Sequence, residues 1–285
     1  MGIIPGPLVE GPQAVGNHYG LLTVASGPID LPEHGRGGGV RYVERTCGEA
    51  HPYPIDCSAG VVYPFEKQGD PDNATFDAFP FIVTASIECG SIGYTSQEFI
   101  DKVKARLQLG EQGAAELALW TGMTAAVGGT SLGINALADT TTDIAVGDSG
   151  SPEAVLAALE AHAYRTEGYG GTAYIHAPVE AASWFGSAYL VVEKNGIKYT
   201  PFGSIWVFGG GYPGTGADGA EPPTGGFYMY VTGQVAVWRS ADVFTYPIPQ
   251  TLDRTNNQYF LLAEREYAIG FDCGAGRILF DPLGS

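Results

Sequence analysis

The chain has 285 residues, 45% of them apolar, which is enough to bury a large core in one domain or two. Charged residues make up only 16%, and 31 acidic against 14 basic residues give a formal charge of −17. That balance excludes a protein that grips nucleic acid by neutralising phosphates.

No apolar run is long enough for a transmembrane helix, and Met1-Gly-Ile-Ile-Pro-Gly-Pro has neither the basic nor the apolar part of a signal peptide. Glycine fills 42 positions, about twice the usual share of ~7%, which predicts many turns. Cys47, Cys57, Cys89 and Cys273 stand at irregular spacing and are expected to be mostly reduced thiols rather than a disulfide framework.

Residues 1–39, with their Pro and Gly and the closing Gly35-Arg-Gly-Gly-Gly39, read as an extended arm. Removing residues 1–35 is expected to spare the fold of residues 79–285. Residues 40–78 read as an extended hairpin with strand-like pieces at 40–43 and 61–65, too small to be stable alone. Residues 79–87 read as a buried strand. The strongest helix follows: Thr95-Ser-Gln-Glu98 is a capping box, Ile100, Val103, Leu107, Gly110, Ala114 and Leu117 form one face, and Gly122 suits a C-cap. Ser151-Pro-Glu opens a second helix through Val155, Leu156, Leu159 and Ala163. A third, short helix is expected from Pro178 to Trp184.

Strands are expected at 172–175, 188–194 and 197–200, the last two joined by the hairpin turn Asn195-Gly196. Further strands follow at 204–208, 227–232, 234–239, 259–263, 267–273 and 277–280. The pattern is α+β and mainly antiparallel.

Several motifs imitate chemistry. Gly209, Gly211 and Gly214 satisfy G-x-G-x-x-G after a strand, but the Thr-Gly-Ala-Asp-Gly-Ala-Glu-Pro-Pro that follows cannot form the helix which holds a pyrophosphate. Gly147-Asp-Ser-Gly-Ser-Pro152 resembles the nucleophile segment of chymotrypsin-like proteases, which leaves a serine hydrolase using Ser149 as one reading. The upstream histidines, His18, His34 and His51, lack the surroundings of a catalytic base, and Ser151 suits a helix cap. Cys47, His51 and Cys57 could supply three metal ligands, but their spacing matches no usual zinc site. His162 and His176 lie among apolar residues and read as satisfied core groups. Asn73-Ala-Thr75 is a glycosylation sequon that means nothing without secretion, and Asp253-Arg-Thr-Asn-Asn257 reads as a loop with Arg254 in a salt bridge. No catalytic, cofactor or metal site assembles from these residues.

In element order the chain resembles the major capsid proteins of tailed bacteriophages, the Hong Kong 97-type fold, in a branch from phages of actinobacteria. The residues that carry the resemblance are the spine helix at 95–120, the helix start in Ile175-His-Ala-Pro-Val-Glu-Ala-Ala-Ser-Trp184, the strand pair within Tyr199–Phe208, and the arginine-bearing closing strand Leu262–Asp272. It departs from the family in having His-Ala-Pro at the second of these and a long Gly209–Gly226 loop.

The resemblance implies an N-terminal arm (1–39), an extended hairpin (40–78), a peripheral domain (79–150) with the spine helix, an axial domain (151–240) and peripheral return strands (241–285). It implies a non-enzymatic subunit without cofactor that self-assembles into hexamers and pentamers of an icosahedral head, put together in the bacterial cytoplasm. A separate scaffolding protein and a portal would be its partners, and double-stranded DNA would be enclosed without tight sequence-specific binding. No membrane is involved. An encapsulin-like compartment shell is the alternative within the same fold.

Overall fold

The computed structural model describes residues 19–32, 38–43, 75–78, 80–90, 95–122, 136–140, 142–246, 252–253, 258–273 and 275–284. The expected strand at 61–65, the possible ligands Cys47, His51 and Cys57, the sequon at Asn73, and Arg254 lie outside them.

In chain order the elements are α1 (Leu21–Val24), β1 (Ser26–Asp30), β2 (Val40–Val43), β3 (Thr75–Ala78), β4 (Pro80–Gly90), α2 (Ser96–Thr121), α3 (Pro152–Ala161), β5 (Tyr174–Pro178), α4 (Ala181–Ser187) and β6 (Val192–Lys194). Then come β7 (Ile197–Tyr199), β8 (Ile205–Gly209), β9 (Phe227–Thr232), β10 (Val235–Arg239), β11 (Phe244–Thr245), β12 (Leu252–Asp253), β13 (Gln258–Phe271) and β14 (Gly276–Phe280). A π-turn, His162–Thr166, extends α3.

The first sheet is built around β13. β4 pairs antiparallel along its length from Pro80↔Ala268 to Gly90↔Gln258, while β10, β11 and β12 follow one another on its other side, and β1 adds to β10 in parallel. The second sheet runs β14-β9-β5-β8-β7-β6. Sheet membership therefore does not follow the boundaries at 150 and 240: β10 joins the first sheet and the late strand β14 the second.

The long helix α2 forms for the expected reasons. Thr95 Oγ1 accepts the Glu98 N–H while the Glu98 carboxylate accepts the Thr95 N–H, and Gly122 ends the helix at φ 62°. Its buried face differs from the expected one. Burial runs through Phe99, Val103, Leu107, Glu111, Ala115, Ala118 and Leu119, whereas Leu117 is 48% exposed. The stripe continues at i+4 from Leu107, but the residue there is a glutamate. Glu111 is paired: Arg265 donates to it at 2.8 Å, Arg239 at 3.2 Å and the Tyr267 hydroxyl at 2.7 Å.

That network also explains why β13 is one strand where two were expected. Arg265 looks like a loop residue in sequence but points inward to Glu111. Likewise the strand at 79–87 is buried on one face only, with Ile82 turned outward. Pro178 ends β5 rather than opening a helix, and α4 starts at Ala181. The strand expected at 188–194 is confined to β6.

Two layers of core result. Helix α2 packs on the inner face of the first sheet, against Phe81, Val83, Leu261, Tyr267 and Ile269, and this core continues onto one face of the second sheet through Val207 and Tyr230. The other face of the second sheet buries Ile175, Trp206, Phe208, Met229 and Phe280 under α3 and α4. The N-terminal piece is not wholly an arm. Leu21 and Val24 sit in the core, and the Val24 carbonyl accepts a hydrogen bond from the Tyr174 hydroxyl. The β2–β3 ribbon lies across the outer face of the first sheet at one end, with Val40, Tyr42 and Ala78 beside Ala268. The Tyr42 hydroxyl donates to the Phe271 carbonyl at 2.7 Å.

Candidate interaction surfaces

The glycine-rich loop binds an anion, but an internal one. Beyond β8 the chain turns so that the Gly211 N–H donates to Glu116 Oε2 at 2.8 Å, while the Leu21 N–H donates to the other oxygen at 3.0 Å. Glycine is required here by close approach. A Cβ on Gly211 would overlap the Gly113 carbonyl of α2, one on Gly209 would meet Tyr212 and Glu116, and one on Gly20 would meet Gln112 and Glu116. Burial pushes the Glu116 carboxyl above its usual range, and the two N–H donors offset only part of that. The loop's resemblance to a dinucleotide motif is thus a shared use of backbone N–H groups, with Glu116 in the anion's place.

Among the described residues no histidine is bonded to Ser149. Its carbonyl accepts the Asp281 N–H at 2.8 Å, Asp148 folds onto the Gly150 N–H, and Ser151 caps α3 by accepting the Ala154 N–H. The described histidines are engaged elsewhere. His176 is enclosed between the Tyr212 hydroxyl (2.9 Å) and Thr232 Oγ1 (3.0 Å), and burial lowers its pKa to about 3, so it is neutral at physiological pH. His162 is buried near the Ala275 carbonyl. Both match the expectation of satisfied core groups. Cys273 does not match the expectation of a reduced thiol: it is disulfide-bonded. Pairing depends on spatial approach of Cα atoms, which spacing in sequence does not reveal.

Among the described residues no cluster of His, Cys, Asp and Glu could hold a metal, and no helix is long and apolar enough to cross a membrane. What the molecule offers is surface. Tyr189, Phe202, Val179 and Val192 are exposed around the second sheet, and Ile82, Phe244, Tyr246 and Phe260 on the outer face of the first. Singly such residues are ordinary, whereas groups of them mark contact sites. Sequence reading did not single out these residues, because their exposure depends on tertiary placement.

No protein-family model matches this sequence, and no curated protein does. Solved structures do match in shape. A chain from the capsid of an empty GTA particle, computed with C5 symmetry, superposes with a TM-score of 0.60 at 11% identity, covering 98% of this chain and 95% of that one. A chain of Microbacterium phage Oxtober96 gives 0.51 at 11% identity, over 95% and 90%. A chain of Mycobacterium phage Che8 gives 0.52 at 13% identity, over 100% and 99%. At such identities the likeness is one of fold, and it runs from end to end: the chain has the α+β fold of the GTA capsid chain and of these two phage chains, as the resemblance implied.

Proposed function

We propose that this chain is the major capsid protein of a tailed bacteriophage of actinobacteria, whose copies assemble as hexamers and pentamers into an icosahedral head around double-stranded DNA. The observation that carries the reading is the near full-length match to a chain of a GTA capsid, with 98% of this chain and 95% of that one covered. Phages of Microbacterium and Mycobacterium among the structural relatives support the actinobacterial branch.

In this reading α2 and the first sheet form the peripheral domain, and the second sheet with α3 and α4 forms the axial domain. The arm ahead of Tyr19 and the 40–78 hairpin reach over neighbouring copies. The described ends of that hairpin, β2 and β3, rest on the first sheet of their own copy, so the reach over a neighbour belongs to the rest of it. Modest contacts repeated around a shell add up through multivalency. A formal charge of −17 suits a wall that contains DNA without gripping it. The subunit acts by shape, not catalysis. A separate scaffolding protein and a portal complete the head in the host cytoplasm.

The test is direct. The full chain, expressed in bacteria and fractionated by size, should yield large particles that electron microscopy resolves as closed shells or as rings of five and six. A chain that remains monomeric at every concentration, alone and with a co-expressed scaffolding protein, would overturn the proposal.

A further inference from the structure

Helix α4 ends on a residue whose backbone shape is made for glycine. The helix closes with a paired cap: the Leu190 N–H donates to the Phe185 carbonyl at 2.9 Å, and the Tyr189 N–H to the Gly186 carbonyl at 3.1 Å. Such a cap needs one left-handed residue just past the helix, and glycine is the usual occupant. Here it is Tyr189, at φ 60°. A Cβ in the left-handed region crowds the following carbonyl, so this helix end is less stable than glycine would make it.

Nothing within the copy offsets that cost. Tyr189 is 89% exposed, and among the described residues no hydrogen bond or ring contact holds its side chain. The cap is secured by the next residue instead. Leu190 packs against the core that contains Phe185, and its carbonyl accepts the Trp206 indole N–H at 3.1 Å. A strained backbone held in place by its surroundings, with a side chain the fold does not use, points to a use outside the fold.

The outward side of α4 agrees. Ala181 and Phe185 are buried, whereas Val179 just ahead of the helix and Trp184 in its middle are exposed, together with Ser183, Gly186 and Ser187. From residue 178 to residue 191 the only charge is Glu180, in a chain of formal charge −17. This selects the partner. A basic protein would be drawn to the acidic surface elsewhere, while a partner carrying the same negative charge can approach only where charge is missing. A second copy of this chain is such a partner.

We propose that Val179, Trp184 and Tyr189 form a contact between copies, anchored by the Tyr189 ring. A ring on a fixed backbone gives up little entropy when covered, the property of binding hot spots. The inference rests on the shell reading above. Its test places three substitutions at position 189 of the full chain. Tyr189→Gly relieves the backbone and removes the ring, so the melting temperature of the unassembled chain should rise by about 2–4 °C while the yield of particles falls at least ~tenfold. Tyr189→Phe keeps the ring and should leave both at wild-type values. A photo-crosslinking benzoylphenylalanine at the same position, in mixtures of isotope-labelled and unlabelled chains, should join a labelled copy to an unlabelled one.

Wild-type particle yield from Tyr189→Gly, or crosslinks that stay within one copy or reach only other proteins, would overturn this contact and leave the shell reading standing. A lower melting temperature for Tyr189→Gly would overturn it as well, since the ring would then be serving its own copy. A wild-type chain that never assembles would remove both.

Discussion

Glu116 is a buried carboxylate held by two backbone N–H groups from segments far apart in sequence, Leu21 and Gly211. The glycines around it are there because backbone must come within reach of a helix, so their substitution should be felt position by position. Gly210 and Gly211 make a matched pair. A methyl at Gly210 enters open space, whereas one at Gly211 overlaps the carbonyl of Gly113. Gly211→Ala should destabilise the unassembled chain by roughly 2 kcal/mol or more in denaturant melts, and Gly210→Ala should shift it by no more than about 0.5 kcal/mol. Equal effects would mean that the loop does not dock on α2 as described. At this scale the sequence showed a glycine motif and the absence of the helix it needs. It did not show the glutamate, because nothing local links residue 116 to residue 211.

Helix α2 and strand β13 are joined by the buried group of Glu111, Arg265, Arg239 and Tyr267, and this group tests whether the two elements act as a unit. Glu111→Ala leaves Arg265 buried beside Tyr267 without its carboxylate, and should cost about 3–5 kcal/mol in equilibrium unfolding. A loss under about 1 kcal/mol would show that the network is solvated and incidental. The same residues mark the limit of what periodicity reveals. Thr95 and Glu98, Ser151 with Pro152, and the Asn195-Gly196 turn were legible because caps and turns are local, and all three stand in the structure. The helix face and β13 were misread where Glu111, Arg265 and Glu266 interrupt the apolar pattern. Charges that find partners across the core obey burial while looking like surface.

Taken whole, the molecule ties its first described residues into its centre. Leu21 and Val24 lie in the main core and β1 completes an edge of the first sheet, which revises the expectation that residues 1–35 can be removed freely. Deleting residues 1–25 should lower the melting transition of the unassembled chain by many degrees more than deleting residues 1–18, since it also removes buried Leu21 and one donor to Glu116. Matching transitions for the two truncations would show that the segment is dispensable to the body.

The far end of the chain is woven in just as firmly, because β14 pairs with β9 after the polypeptide has already left to build β13. Neither sheet is complete when the ribosome has passed residue 240: one still lacks its central strand, the other its outermost. Neither can close before residues 258–280 have been made, so a chain cut ahead of them has no finished sheet surface to offer.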